Sequence, residues 1–171
     1  RRPAGRAAAT GYRTGALVGD RYRLEKLLGS GGMGTVWSAV HLGTNRPVAL
    51  KILRGDHRST PAARLRFLRE ARILGRIDHP NLVPVRDVFE DHEAPVLAMD
   101  LLSGEPLSER LLRKGRLPLD EVARLLPGAL SAIQVAHEAG VVHRDLKPDN
   151  LYIVPGDERS GGREALRVLD F

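Results

Sequence analysis

Eight consecutive residues, His143-Arg144-Asp145-Leu146-Lys147-Pro148-Asp149-Asn150, bring a carboxylate, an ammonium and an amide close together. These side-chain types can move a proton, offset developing charge and ligate a hard cation. Pro148 and the polar composition disfavour a helix through them. Short apolar runs bracket the stretch, Gly140-Val141-Val142 before it and Leu151-Tyr152-Ile153-Val154 after it. A polar loop held between packed elements is a usual setting for chemistry. An Asp/Asn turn bonded to its own backbone accounts for Asp149 and Asn150, but not for the whole set.

The surrounding elements follow from patterning. Tyr22 to Leu28 alternates as a strand. Gly29-Ser30-Gly31-Gly32-Met33-Gly34 is a glycine-dense turn, and Thr35 to Leu42 is a second strand, so the pair reads as a hairpin. Without a Cβ, such glycines let backbone N–H groups approach phosphate oxygens. An ordinary Gly-rich hairpin fits as well. A dinucleotide fold needs a helix at the last glycine and a P-loop needs Gly-Lys-Ser/Thr, and neither is present. Val48 to Leu53 reads as a third strand. Its period of two puts Ala49 and Lys51 on one face and Val48, Leu50 and Ile52 on the other.

Residues 61–77 read as a helix, capped by Ser59 or Thr60 with Pro61 at its first position. Phe67, Ala71 and Leu74 make its apolar face, and Glu70 falls on that face. A carboxylate so placed needs a cationic partner. Lys51 is the candidate, with a neighbouring Arg as the alternative. Leu82 to Phe89 and Pro95 to Leu102 read as a strand pair. Leu107 to Lys114 and Asp120 to Glu138 read as helices ended by Gly115 and Gly140. Pro127 predicts a kink or an offset start in the second. Leu166 to Leu169 is the last strand.

In this order the stretches resemble the eukaryotic-like protein kinases. Gly29-x-Gly31-x-x-Gly34-x-Val36 is similar to their Gly-rich loop, and Val48-Ala49-Leu50-Lys51 to V-A-I-K. Residues 143–150 resemble H-R-D-L-x-x-x-N, and Asp170-Phe171 resembles Asp-Phe-Gly without its Gly. Arg usage and the Gly31-Gly32-Met33-Gly34 wording suggest the bacterial serine/threonine branch, as does Lys147-Pro148 for the choice of hydroxyl. The resemblance covers about residues 20–171. It implies an α+β fold: a complete N-lobe over 20–100, with a five-stranded antiparallel sheet and one helix, and a truncated, mainly helical C-lobe over 101–171.

The resemblance also implies an activity, transfer of the γ-phosphoryl group of Mg·ATP to Ser or Thr hydroxyls of a protein substrate. Leu28, Gly29, Gly31, Gly32, Met33, Gly34, Val36 and Ala49 would then surround the nucleotide. Lys51 would hold its phosphates, Glu70 would pair with Lys51, and Met99 and Leu101 would border the adenine. Asp145 would accept the substrate proton, Lys147 would stabilise the moving phosphoryl group, and Asn150 and Asp170 would hold Mg²⁺. His143 would pack, and Arg144 beside Asp145 suggests control by activation-loop phosphorylation. The rival reading is an ATP-binding kinase-like scaffold without catalysis.

Composition narrows the classes further. The 171 residues suffice for one compact domain. They are fewer than a whole kinase catalytic domain, so a partial domain, inactive on its own, is expected. Of the net charge of +6, Arg1, Arg2, Arg6 and Arg13 supply +4. Residues 1–19 are expected to be a disordered basic tail. With 4% aromatics and the charge mostly in that tail, no nucleic-acid partner is expected. Absence of cysteine excludes a disulfide framework and a Cys metal site. No apolar run has the length of a membrane span and no signal-peptide core is visible, so a cytoplasmic location is expected. Only four of 27 basic residues are lysine, and two of them are Lys51 and Lys147. The helix around residues 126–137 is expected to leave Leu130 and Ile133 facing solvent.

Overall fold

The computed structural model describes residues 12–32, 34–53, 61–156 and 162–171. Alternation builds its first layer. Strand β3 (Gly34–His41) buries Thr35, Trp37 and Ala39 and turns the residues between them outward. Strand β4 (Arg46–Leu53) sends Val48, Leu50 and Ile52 into one core, leaving Ala49 and Lys51 on the opposite face as their period predicts. With β1 (Leu17–Val18), β2 (Tyr22–Ser30), β5 (Val85–Asp91) and β6 (Ala94–Asp100) they form one antiparallel sheet in the order β1-β2-β3-β4-β6-β5.

That sheet has six strands, not the expected five. The additional strand comes from the segment expected to be disordered. Val18 is fully buried. Leu17 and Val18 pair with Arg23 and Tyr22. The Tyr12 hydroxyl donates to Asp91 Oδ2 at 2.8 Å, and the Gly19 N–H donates to Asp91 Oδ1 at 2.9 Å. Buried apolar area and a carboxylate with both oxygens bonded offset the entropy of ordering residues 12–19. Residues 1–11 lie outside the described residues, as do Ser59 and Thr60, the expected helix caps.

Helix α1 (Pro61–Leu74) packs on β5 and β6 and ends three residues before its expected limit. The Gly75 N–H closes the last turn on the Ala71 carbonyl. Below it, β7 (Glu105–Pro106), β8 (Leu151–Val154) and β9 (Ala165–Val168) form a second antiparallel sheet. Helix α2 (Leu107–Lys114) lies along it and ends at Gly115, whose φ of 76° suits glycine. Helix α3 (Leu119–Glu138) packs on β9. It runs unbroken through Pro127, so the expected offset start does not occur. Its next residue, Gly128, lies against the Asn81 side chain with no room for a Cβ.

Leu125, Ala129, Ala132 and Ala136 make the buried side of α3. Leu130 is 59% exposed, as expected, whereas Ile133 is half-buried and packs against the core under the second sheet. Residues 81–83 join the two layers. The Asn81 amide donates to the Leu166 carbonyl at 2.6 Å, the Val168 N–H donates to the Asn81 carbonyl at 2.8 Å, and the Val83 N–H donates to the Val168 carbonyl at 3.2 Å. Below the sheet, Arg110 is 11% exposed and bonds Glu105 at 2.6 Å, Glu121 at 3.0 Å and Glu164 at 2.7 Å. One guanidinium therefore binds β7, α2, α3 and the approach to β9 together.

Candidate active site

The segment from Val141 to Asn150 runs from the end of α3 into β8. The Val141 N–H bonds the Ala136 carbonyl, and the Leu169 N–H bonds the Asn150 carbonyl at 2.9 Å. A single 3₁₀ turn, Pro148–Asn150, brings Asn150 back toward Asp145. The Asn150 amide donates to the Asp145 carbonyl at 2.9 Å. Its side-chain oxygen stays available as an acceptor. Lys147 Nζ lies 2.7 Å from Asp145 Oδ2. That hydrogen bond is the main cause holding the Asp145 carboxyl below its ordinary range, and it raises Lys147 in turn.

His143 is buried, with Nε2 2.7 Å from the Leu169 carbonyl and its ring centroid 4.7 Å from that of Phe171. At that distance Nε2 carries the proton and donates. The ring packs the loop against Phe171, as the packing role expected of it requires. Two residues here hold left-handed backbone without being glycine, Arg144 at φ 61° and Asp170 at φ 56°. Each costs about 1–3 kcal/mol, and such strain concentrates where geometry serves function.

Asp170 reaches Lys51 from below. Its Oδ1 lies 3.0 Å from Lys51 Nζ, whose side chain is 12% exposed. Ala49 pairs with Met99 across β4 and β6, and both are buried on the face that Lys51 shares. Behind them a cavity of about 20 Å³, room for about one water, is lined by Lys51, Phe67, Leu74, Met99, Asp170 and Phe171. Above, Gly29 stands opposite Val36. A Cβ on Gly29, Gly31 or Gly32 would meet open space, so the backbone there is approachable. Gly34 is different: a Cβ would run into the Ile52 carbonyl. Leu28 and Leu101 are exposed, at the end of β2 and just after β6. Met33 lies outside the described residues.

One expected pairing is not formed. Glu70 does not meet Lys51. Its Oε1 accepts from Arg144 at 2.9 Å, while Lys51 is neutralised by Asp170. Two cations compete for two carboxylates in this cleft, and the left-handed backbone at Arg144 aims its guanidinium up at α1. Sequence reasoning read Arg144 only through a loop outside these residues, and it gave Asn81 no role. The signal for Arg144 was its position next to Asp145; the signal for Asn81 was weak, a polar residue after Pro80.

The donor set fits Mg²⁺. Asp170 and Asn150 offer hard oxygens, and this ion takes one or two such ligands, with phosphate and water completing its shell. No group of three or more His, Cys, Asp or Glu able to hold a metal exists among the described residues.

The sequence profile of the protein kinase domain matches residues 22–171. Serine/threonine-protein kinase PknA of Mycobacterium tuberculosis is 41% identical over 148 residues, covering 84% of this chain and 34% of its own length. The chain thus spans about a third of that relative. The crystal structure of the Mycobacterium tuberculosis PknI kinase domain superposes with a TM-score of 0.80 at 28% identity, over 94% of this chain and 63% of that one. Rad53 1-466 in complex with AMP-PNP superposes with a TM-score of 0.73 at 27% identity, over 89% and 38%.

Proposed function

Because the chain belongs to the protein kinase family, we propose that it carries the catalytic centre of a serine/threonine protein kinase, which transfers the γ-phosphoryl group of Mg·ATP to Ser or Thr hydroxyls of proteins. One observation carries this reading. Asp145, Lys147 and Asn150 converge within hydrogen-bond reach on a loop whose far end is tied to Leu169, next to the Lys51–Asp170 pair.

The chain's residues divide the work. Ionised Asp145 orients the substrate hydroxyl and takes its proton as oxygen attacks the γ-phosphorus and the bond to the ADP oxygen breaks. Held below its ordinary range, Asp145 is a weak base, so orientation is its larger contribution. Lys147 sits beside the path of the phosphoryl group and offsets its charge. Lys51 binds the nucleotide phosphates, Asp170 and Asn150 hold the metal, and the open backbone of Gly29, Gly31 and Gly32 covers the phosphates. Val36, Ala49, Leu28, Met99 and Leu101 flank the base. Mg²⁺ held by Asp170 and Asn150 would neutralise phosphate charge. Use of ATP as donor supports a cytoplasmic site for the reaction, and no described helix is long and apolar enough to cross a membrane.

Glu70 on Arg144 favours a second reading, a nucleotide-binding scaffold without transfer. The two separate in one comparison. In the whole protein, Asp145→Asn is expected to slow transfer about 10²–10⁴-fold with nucleotide affinity unchanged. Nucleotide binding with no transfer by either protein would select the scaffold.

A further inference from the structure

Helix α1 turns a cationic face to solvent. Arg66, Arg69, Arg72 and Arg76 are all exposed. Arg69 and Arg72 stand at i and i+3 on α1, Arg66 flanks them, and Arg76 follows in the turn after the helix ends at Leu74. At 1.5 Å per residue Arg66 to Arg72 extend over about 9 Å of the helix. Leu65, 68% exposed, lies on the same line, four residues before Arg69. The one carboxylate in α1 is Glu70, which points the other way, to Arg144.

Among the described residues none of the four has a carboxylate partner, whereas the adjacent Arg64 is held by Glu90 at 2.6 Å. Like charges three and four residues apart, as at Arg66, Arg69 and Arg72, repel. The line is not one edge of a generally basic surface. Most of the excess charge lies in residues 1–19, and Asp78 and Glu90 stand close by in sequence or contact.

We propose that this face docks an acidic helical segment of a partner protein, with carboxylates at matching i and i+3 positions and an apolar side chain over Leu65. Guanidinium groups suit this because they take carboxylates in bidentate pairs. The line is one helix wide. Arg69 and Arg72 lie about 100° and 160° around α1 from Glu70, so a segment docked on them leaves the nucleotide cleft open.

The test is fluorescence anisotropy of a labelled helical peptide with glutamates at that spacing, titrated with the chain. Binding is expected to saturate and to weaken as salt screens it. It should fall at least about tenfold in Arg69→Glu/Arg72→Glu. That variant changes only exposed side chains, and its melting temperature should stay that of the wild type. A peptide of the same composition with glutamates spread around the helix should bind more weakly. Mg·AMP-PNP should not displace the first peptide. Absence of saturable binding, equal affinity of the variant or of the scrambled peptide, or displacement by the nucleotide would each overturn the proposal. So would tighter binding of phosphatidylserine vesicles or duplex DNA through the same arginines.

Discussion

At Asp145 two demands meet in one carboxylate. It must stay ionised to receive a hydroxyl proton, and it must hold that hydroxyl in place. The Lys147 hydrogen bond meets both, and it depresses the carboxyl below 3.8. The acid limb of the pH–rate profile therefore lies beneath the ordinary carboxylate range: activity persists above it and is lost as pH falls through the depressed value. In Lys147→Met that limb should move up in pH, and maximal transfer should drop. An acid limb at the same pH in both proteins would remove Lys147 as its cause. The types and spacing of Asp145, Lys147, Asn150, Lys51 and Asp170 were all legible in the sequence, because a short loop and a period-two strand fix local geometry. Which carboxylate each cation takes was not legible, since that depends on competition between elements far apart in the chain.

Helix α1 shows that competition. Its inward face was read correctly from Phe67, Ala71 and Leu74, which line the cavity behind Lys51. The partner of its Glu70 was not, because Arg144 is 74 residues away. Arg144 is largely exposed, so this ion pair contributes no more than about 1 kcal/mol. Arg144→Ala should therefore change stability by less than that in urea unfolding. A loss of several kcal/mol would mean that Arg144 does more than pair with Glu70.

The Arg110 cluster differs because it is buried. Removing the guanidinium takes bonds from Glu105, Glu121 and Glu164 at once but leaves Lys114 on Glu121, so Arg110→Met should cost about 1–3 kcal/mol. The pH dependence follows from sign. Glu105, Glu121 and Glu164 are held below 4.5, chiefly by hydrogen bonds from Arg113, Lys114 and Arg110 respectively. Their stabilisation is present above the unfolded value and is lost as pH falls through the depressed folded values. Urea midpoints of the wild type should fall below pH 4.5, and Arg110→Met should flatten that fall. The cluster had no signature in sequence, because its members come from four elements.

For the whole molecule, the folded unit begins earlier than patterning suggests. Two residues in a Gly- and Ala-rich segment carry no readable period, yet β1 closes the curled sheet through Asp91. Tyr12→Phe removes one hydrogen bond and should cost about 1 kcal/mol. Deleting residues 1–19 also exposes the core beneath Val18 and should cost more; equal stability of the deletion and the intact chain would remove the strap from the fold. The two-layer α+β architecture was legible from strand and helix periods, whereas the closure of the sheet was not, since it rests on contacts 72 and 79 residues apart. The most direct test of the central claim is phosphate transfer from γ-labelled ATP to Ser/Thr protein substrates by the whole protein, wild type against Asp145→Asn. The account predicts labelled phosphoserine or phosphothreonine from the wild type and a loss of about 10²–10⁴ in the variant, with nucleotide binding intact. Equal rates in the two proteins would contradict it.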